Sequence, residues 1–262
     1  MTASSRALFI SDCHLGAGFP PDREDRERRV LAFLEHEAPT AGTLYILGDL
    51  FDFWFEYREA VFRRHFRVLA ALRSLVLHGT RVVFLGGNHD FWAGSFLRDE
   101  IGCEVHLDPL REEAQGRKLF LAHGDGLGPG DRGYPILRTV LRHPVSIAGF
   151  GLLHPDWGMG IADSVSRFSR SRRDESKFDA ERLCRHLADP LLANGLDAVV
   201  IGHYHHPTHL RRERGEFVIL GDWLARNTFA RLEDGVFALR QWTEAGCRPY
   251  PAAGSSGRHA PA

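Results

Sequence analysis

Seven side chains in this sequence have the types and placement to hold metal: Asp12, His14, Asp49, Asn88, His123, His203 and His205. Each follows a short apolar run. Phe9-Ile10 leads into Ser11-Asp12-Cys13-His14, and Tyr45-Ile46-Leu47 into Gly48-Asp49. Phe84-Leu85 leads into Gly86-Gly87-Asn88-His89-Asp90, Phe120-Leu121-Ala122 into His123-Gly124-Asp125, and Val200-Ile201 into Gly202-His203-Tyr204-His205. Short apolar runs bounded by turn residues read as buried strands. Ligands of open α/β sheets gather outside the carboxyl ends of the strands. The strand ends are therefore expected to meet at one edge, with Asp49 at its centre. Seven ligands are too many for one ion and about right for two. Oxygen mixed with imidazole suits divalent Mn, with Fe or Zn as alternatives, rather than Ca. In two-metal sites, with ions about 3.5–4 Å apart, a shared carboxylate bridges them and a bridging water becomes the nucleophile. Two oxygens and a central strand make Asp49 the expected bridge. Residues two apart on an extended chain face the same way, so Asp12 with His14, and His203 with His205, are each expected to reach one cavity.

The elements that must position these residues alternate between strand and helix. Ala7 to Ser11 is the first strand, and Asp22 to Glu37 an amphipathic helix carrying Val30, Leu31, Phe33 and Leu34 on one side. Ala60 to His78 has apolar residues at helical spacing and is ended by Gly79. Arg81 to Leu85 is a strand, Ser95 to Glu100 a short helix, and strands flank the Gln115-Gly116 turn. Residues 126–177 break the pattern: a Gly/Pro-rich opening, apolar patches from Tyr134 to Ile161, then the basic run Arg167 to Arg173. This stretch is expected to be an inserted helical lid. Asp174 to Leu192 reads as a helix and Ala198 to Ile201 as a strand. The remainder reads as a β-meander through Thr208–Arg212, Phe217–Leu220, Thr228–Leu232 and Val236–Gln241. The expected organisation is one domain over 1–247 and a disordered Pro/Ala/Gly/Ser tail over 248–262.

Composition narrows the partners. A net charge of -1 offers no general attraction to nucleic acid, and none is expected. The four cysteines are dispersed, which suits reduced thiols rather than a disulfide framework. Met1 to Arg6 is polar and runs straight into a strand, so no signal peptide is expected. No apolar run is long enough to span a bilayer, and any membrane contact must be peripheral.

Taken in order, D-x-H, G-D, G-N-H-D, H-G-D and G-H-x-H resemble the motif set of the calcineurin-like metallophosphoesterases, from Ala7 to about Gln241. The resemblance implies an α/β fold, two packed mixed β-sheets flanked by helices. It implies one metal on Asp12, His14, Asp49 and His205, and a second on Asp49, Asn88, His123 and His203. It also implies a catalytic His89 beside the metals without binding them. A narrower likeness lies in Leu47-Gly48-Asp49-Leu50-Phe51-Asp52-Phe53-Trp54, Asn88-His89-Asp90-Phe91 and Leu220-Gly221-Asp222-Trp223. These resemble the UDP-2,3-diacylglucosamine diphosphatase branch, whose best-known members carry Arg at the position of His89. That likeness implies hydrolysis of a nucleotide-linked lipid to UMP and an acylated sugar 1-phosphate. It implies a cytoplasmic protein, peripheral on the inner membrane. It also implies substrate contacts at Asn88, His89, Asp131 and His203. The basic run with Ser169, Arg172 and Arg173 is expected either to meet phosphate or anionic lipid or to form a solvated face.

Other residues carry plainer expectations. Asp52, Asp90, Asp125 and Asp222 are expected to cap turns or to hold ligands from behind. Cys13 is expected in the core. His65, His106, His143, His154, His206 and His209 are expected to be packing or surface residues. Phe51, Phe53, Trp54 and Phe55 are expected to pack, with Trp54 able to reach a pocket rim. A soluble phosphodiesterase or nucleotide hydrolase is the alternative activity, and a metal-free protein-binding scaffold the alternative class.

Overall fold

The computed structural model describes residues 6–18, 23–129, 131, 134–161, 164 and 178–251. In chain order the first elements are β1 (Ala7–Ile10), α1 (Arg23–His36), β2 (Thr43–Leu47), α2 (Phe66–Leu77) and β3 (Arg81–Leu85). Next come β4 (Glu104–His106), β5 (Leu110–Ala114), β6 (Arg117–Ala122), α3 (Tyr134–Leu141) and α4 (Pro144–Gly151). After a helical turn over 155–161 follow α5 (Ala180–Leu183), a π-turn (Cys184–Ala188) and α6 (Asp189–Ala193). The chain continues through β7 (Ala198–Ile201), β8 (Thr208–Arg212), β9 (Gly215–Ile219), β10 (Thr228–Glu233), β11 (Val236–Thr243) and β12 (Gly246–Pro249).

Two mixed sheets pack face to face. One has the order β12-β11-β10-β1-β2-β3-β4 and the other β5-β6-β7-β9-β8. The period-2 alternation of a strand explains the layers. Phe9, Tyr45, Leu47, Val83 and Leu85 point between the sheets and meet Leu119, Leu121, Val200 and Val218. Their neighbours Leu8, Ile10, Leu44, Ile46, Val82 and Phe84 point outward under α1 and α2. Those helices cover them with Val30, Phe33 and Leu34, and with Val68, Leu69, Leu72 and Leu75. On the far side Phe120, Val199, Ile201 and Phe217 lie beneath Leu183, Cys184 and Leu192. Strands β1, β2 and β3 run parallel, as do β6, β7 and β9, so their carboxyl ends can carry one site.

The expected meander is divided between the sheets. β9 pairs parallel with β7, whereas β10 pairs antiparallel with β1 in the other sheet. The link over 220–227 makes the crossing: the Trp223 amide donates to the Asp12 carbonyl at 3.1 Å, and the Trp223 ring is buried against Phe33. Local alternation of apolar residues shows that strands exist, not which sheet they join.

Other boundaries move for local reasons. The second helix begins at Phe66, after a 3₁₀ turn at Arg63–His65, and not at Ala60. Ala180 opens the later helix, because Asp179 accepts the Arg182 amide at 2.9 Å as its N-cap. Arg248 and Pro249, expected in the tail, pair in β12 with Gln241 and Arg240. Trp54 is 1% exposed, donates Nε1 to Glu56 and stacks on Phe51; it fills the core rather than a rim. His65 packs against that pair.

Candidate metal centre

The motif residues stand at the carboxyl ends of β1, β2, β3, β6 and β7, as their sequence neighbours require. Asp49 lies between two groups. On one side Nε2 of His205 is 3.1 Å from Asp12 Oδ1 and 3.3 Å from Nε2 of His14. His14 Nε2 is in turn 3.7 Å from Asp49 Oδ2. On the other side Nε2 of His123 is 3.3 Å from the same Asp49 oxygen, 3.1 Å from Asn88 Oδ1 and 3.3 Å from Nδ1 of His203. All seven expected ligands are thus brought together, two clusters sharing Asp49.

The tautomers say what fits there. Nδ1 of His14 faces Asp52 Oδ1 at 3.2 Å, and Nδ1 of His123 faces the Leu47 carbonyl at 2.8 Å. Those partners only accept, so each Nδ1 carries the hydrogen and each Nε2 presents a lone pair. The lone pairs then point at carboxylate and amide oxygens, which are also electron-rich. Asp12 Oδ1 is buried with no satisfactory hydrogen-bond donor. Acceptors facing acceptors in a buried site call for a cation. Charge tells the same story. Burial alone would raise the Asp12 carboxyl, yet His205 beside it holds it well below the usual carboxylate range. Asp49 is depressed likewise against burial, first by His123 and then by His89. Burial lowers the His14 pKa. That of His123 is raised in spite of burial by the Asp49 carboxylate, the same negative charge that would draw a divalent ion to Nε2. The donor set therefore fits divalent metal.

Backbone strain is concentrated here. Asp12, His14, Asp49, His203 and His205 all have φ between 45° and 68°. Non-glycine residues in that left-handed region are uncommon, and they gather where a site over-determines them. This corrects the expectation of extended D-x-H and H-x-H segments: the paired residues reach the site through left-handed turns. His205 joins Asp12 and His14, while His203 joins His123. Gly48 carries φ +83°, and a Cβ there would lie 2.6 Å from His123 Nδ1.

Residues behind the ligands hold the turns. Asp90, fully buried, accepts the amides of Gly87, Asp49 and Phe51 at 2.8, 3.1 and 3.3 Å. It thereby ties the Asn88 turn to the Asp49 turn. Burial, and then the Asp49 charge, push its carboxyl up to about 7. Asp222 accepts the Ala225 amide at 2.6 Å and pairs with Arg226. Cys13 is fully buried. Sequence reading passed over Arg26: it is fully buried on α1 and donates to the His14 carbonyl at 2.9 Å. An arginine four residues ahead of the apolar Val30 was the available signal.

His89 donates its amide to Asp49 Oδ1 at 2.9 Å and lays its ring edge-on to His14, with centroids 4.8 Å apart. Its Nδ1 bonds the Asp52 carbonyl at 2.8 Å. His14, Asp49 and His89 also form a group compact enough to hold an ion. Asp131 is exposed, in a turn tucked against Tyr204, whose ring packs on His203. Ser169, Arg172 and Arg173 lie outside the described residues. No helix among the described residues is long and apolar enough to cross a membrane.

The family model for calcineurin-like phosphoesterases matches residues 5–207. The chain belongs to the calcineurin-like phosphoesterase family. It is 32% identical over 244 residues to a UDP-2,3-diacylglucosamine hydrolase of Porphyromonas gingivalis, covering 86% of this chain and 93% of that one. The enzyme of that name from Nitrosococcus oceani is 31% identical over 225 residues, 82% of this chain and 86% of that one. The Ralstonia nicotianae enzyme is 33% identical over 255 residues, 92% and 94%. As a calcineurin-like phosphoesterase the chain is a metal-dependent hydrolase, and the Asp/His groups at its strand ends are where a divalent cofactor fits.

Proposed function

We propose that this phosphoesterase hydrolyses the pyrophosphate of UDP-2,3-diacylglucosamine, releasing UMP and the acylated sugar 1-phosphate, at a two-metal centre. The observation that carries the two-metal reading is Asp49 standing between two histidine clusters. The substrate reading is supported by the names of relatives that match along most of their own length. Asp12, His14, Asp49 and His205 would hold one ion, and Asp49, Asn88, His123 and His203 the other, with Mn the first candidate. When bound, the ions supply Lewis acidity that makes water a nucleophile at neutral pH, and charge that offsets the phosphoryl oxygens.

The protein's own contribution is orientation. Asn88, His89 and His203 are the half-buried members of the centre, while Asp12, His14, Asp49, His123 and His205 are buried. The half-buried three are therefore the residues open to a substrate phosphate, and Asp131 the nearby acid for a sugar hydroxyl. His89 can neutralise charge on the leaving oxygen.

A peripheral place at a membrane surface is supported by the helices between Tyr134 and Ile161. Ile136, Leu137, Val140, Val145, Leu152 and Trp157 are all at least half exposed there. Apolar side chains beside a basic run are the make-up of an interfacial anchor; on this reading residues 126–177 are the lid that admits the lipid. The test compares turnover of UDP-2,3-diacylglucosamine with that of soluble diesters by purified, metal-loaded protein. A clear preference for the lipid substrate is expected; diester turnover alone would replace this reading with a soluble phosphodiesterase.

A further inference from the structure

A cavity of about 430 Å³ opens under α3, lined by Asp108, Asp125, Tyr134, Arg138, Thr139 and Arg142. Its volume is in the range of small-molecule sites, and its lining residues Asp125, Leu127 and Arg138 also line, with His123, a small adjoining cleft. Asp125 follows His123 by two residues, and Phe91, on which the Arg142 guanidinium rests at 5.7 Å, follows His89 by two. The arginines are fixed on the scaffold. Arg138 donates to the Leu107 carbonyl and to Asp108, both at 2.9 Å, and Arg142 donates to the same carbonyl at 2.8 Å. Trp92 Nε1 holds the Leu141 carbonyl at 2.9 Å and so pins the end of α3.

Two polar atoms on this wall lack partners. The Asp125 carboxyl, 7% exposed, bonds Tyr134, yet its Oδ2 is left without a hydrogen bond, and the buried Nε of Arg142 donates none. Buried donors and acceptors in folded proteins are nearly always paired, so these two call for a ligand that brings both a donor and an acceptor. An acyl chain brings neither. A fully ionised phosphoryl group brings only acceptors, and Asp108 and Asp125 balance the two arginines. The Watson–Crick edge of uracil presents a carbonyl, an N3–H and a second carbonyl. Its N–H can satisfy a carboxylate while a carbonyl satisfies a guanidinium.

We propose that this cavity receives the nucleoside half of the substrate, with Asp125 and Arg142 reading the uracil edge; the assignment of the substrate as a uridine nucleotide rests on the function proposed above. The polar wall would then separate the nucleotide from the lipid half before cleavage.

The experiment titrates metal-loaded protein with UMP and with ribose 5-phosphate, which differ in the base, by calorimetry. Wild type is expected to bind UMP at least tenfold more tightly. Arg142→Gln should bring that ratio close to one. Thr139→Trp, which adds bulk at an exposed position of α3 without removing a charge, should do the same should Arg142→Gln fail to fold. Both variants should also lose kcat/KM on UDP-2,3-diacylglucosamine about tenfold more than on bis(p-nitrophenyl) phosphate, chiefly through KM. A wild-type ratio of one, or a ratio indifferent to both substitutions, overturns the pocket. If wild type prefers UMP in an Arg142-dependent way but does not turn over UDP-2,3-diacylglucosamine, the pocket stands and the substrate reading falls.

Discussion

Nδ1 of His14 lies 3.2 Å from Oδ1 of Asp52, and both residues are buried. The same Asp52 accepts Nδ1 of His89 on its backbone carbonyl at 2.8 Å. One residue therefore sets the tautomer of a ligand with its side chain and the ring of the neighbouring histidine with its main chain. Partners of this kind typically change metal affinity 10–100-fold when removed. Asp52→Ala should weaken metal binding by about that factor at the Asp12, His14 and His205 cluster, measured by competition with a chelator. The other cluster should keep its ion, since the Leu47 carbonyl, not Asp52, orients His123. Unchanged affinity at both would remove Asp52 from the account.

Asp49 is the residue both clusters share, so its loss should differ in kind from the loss of any one histidine. Asp49→Ala is expected to abolish activity and to leave little metal by elemental analysis. His14→Ala leaves three protein ligands on its ion and should retain the second ion. Full dinuclear occupancy with turnover in Asp49→Ala would refute the shared-carboxylate arrangement.

The candidate ligands were legible in the sequence because each follows a short apolar run bounded by turn residues, the pattern of a buried strand. The reason they converge was not. Asp12 and His14 were expected on an extended segment, whereas both are left-handed, a conformation that the site imposes and local propensity does not announce. Sheet membership was hidden for a related reason: β9 and β10 have the same alternating pattern whether they pair with each other or with strands of different sheets. Arg26 was hidden inside a charged helix, where a buried guanidinium looks like its solvated neighbours. Arg138 and Arg142 are held by the Leu107 carbonyl, and Arg142 also by the Phe91 ring, across separations in sequence that a local pattern does not span.

Far from the metal centre, Glu216 accepts from His209 Nε2 at 2.6 Å and from Arg117 at 2.5 Å. Burial alone would raise its pKa, but the bonds from His209 and Arg117 outweigh it and hold the carboxyl below the 4.5 of an ordinary glutamate. The unfolded chain then takes up this proton first as pH falls. The stabilisation is complete above that value and is lost progressively below it. Glu216→Gln should cost on the order of 1 kcal/mol at pH 7 and flatten part of the acid limb of a urea-midpoint-against-pH curve. A variant that keeps the wild-type slope below pH 4.5 would place the acid sensitivity elsewhere.

His89 offers the sharpest test of the substrate. A diester that expels an alkoxide needs a proton on the leaving oxygen, and an imidazole can deliver one at neutral pH. A pyrophosphate that expels a phosphate monoester needs it far less, because that leaving group is a weak base. An arginine supplies charge without a transferable proton. His89→Arg should therefore largely retain turnover of UDP-2,3-diacylglucosamine while lowering that of bis(p-nitrophenyl) phosphate by about 10²–10⁴-fold, the usual size of general acid catalysis. Metal content should hold, since the amide of residue 89, not its ring, bonds Asp49. If metal is lost along with activity, the compact group of His14, Asp49 and His89 includes a true ligand. If the pyrophosphate reaction fails while the diester reaction survives, the leaving-group argument is reversed and a diester becomes the better substrate.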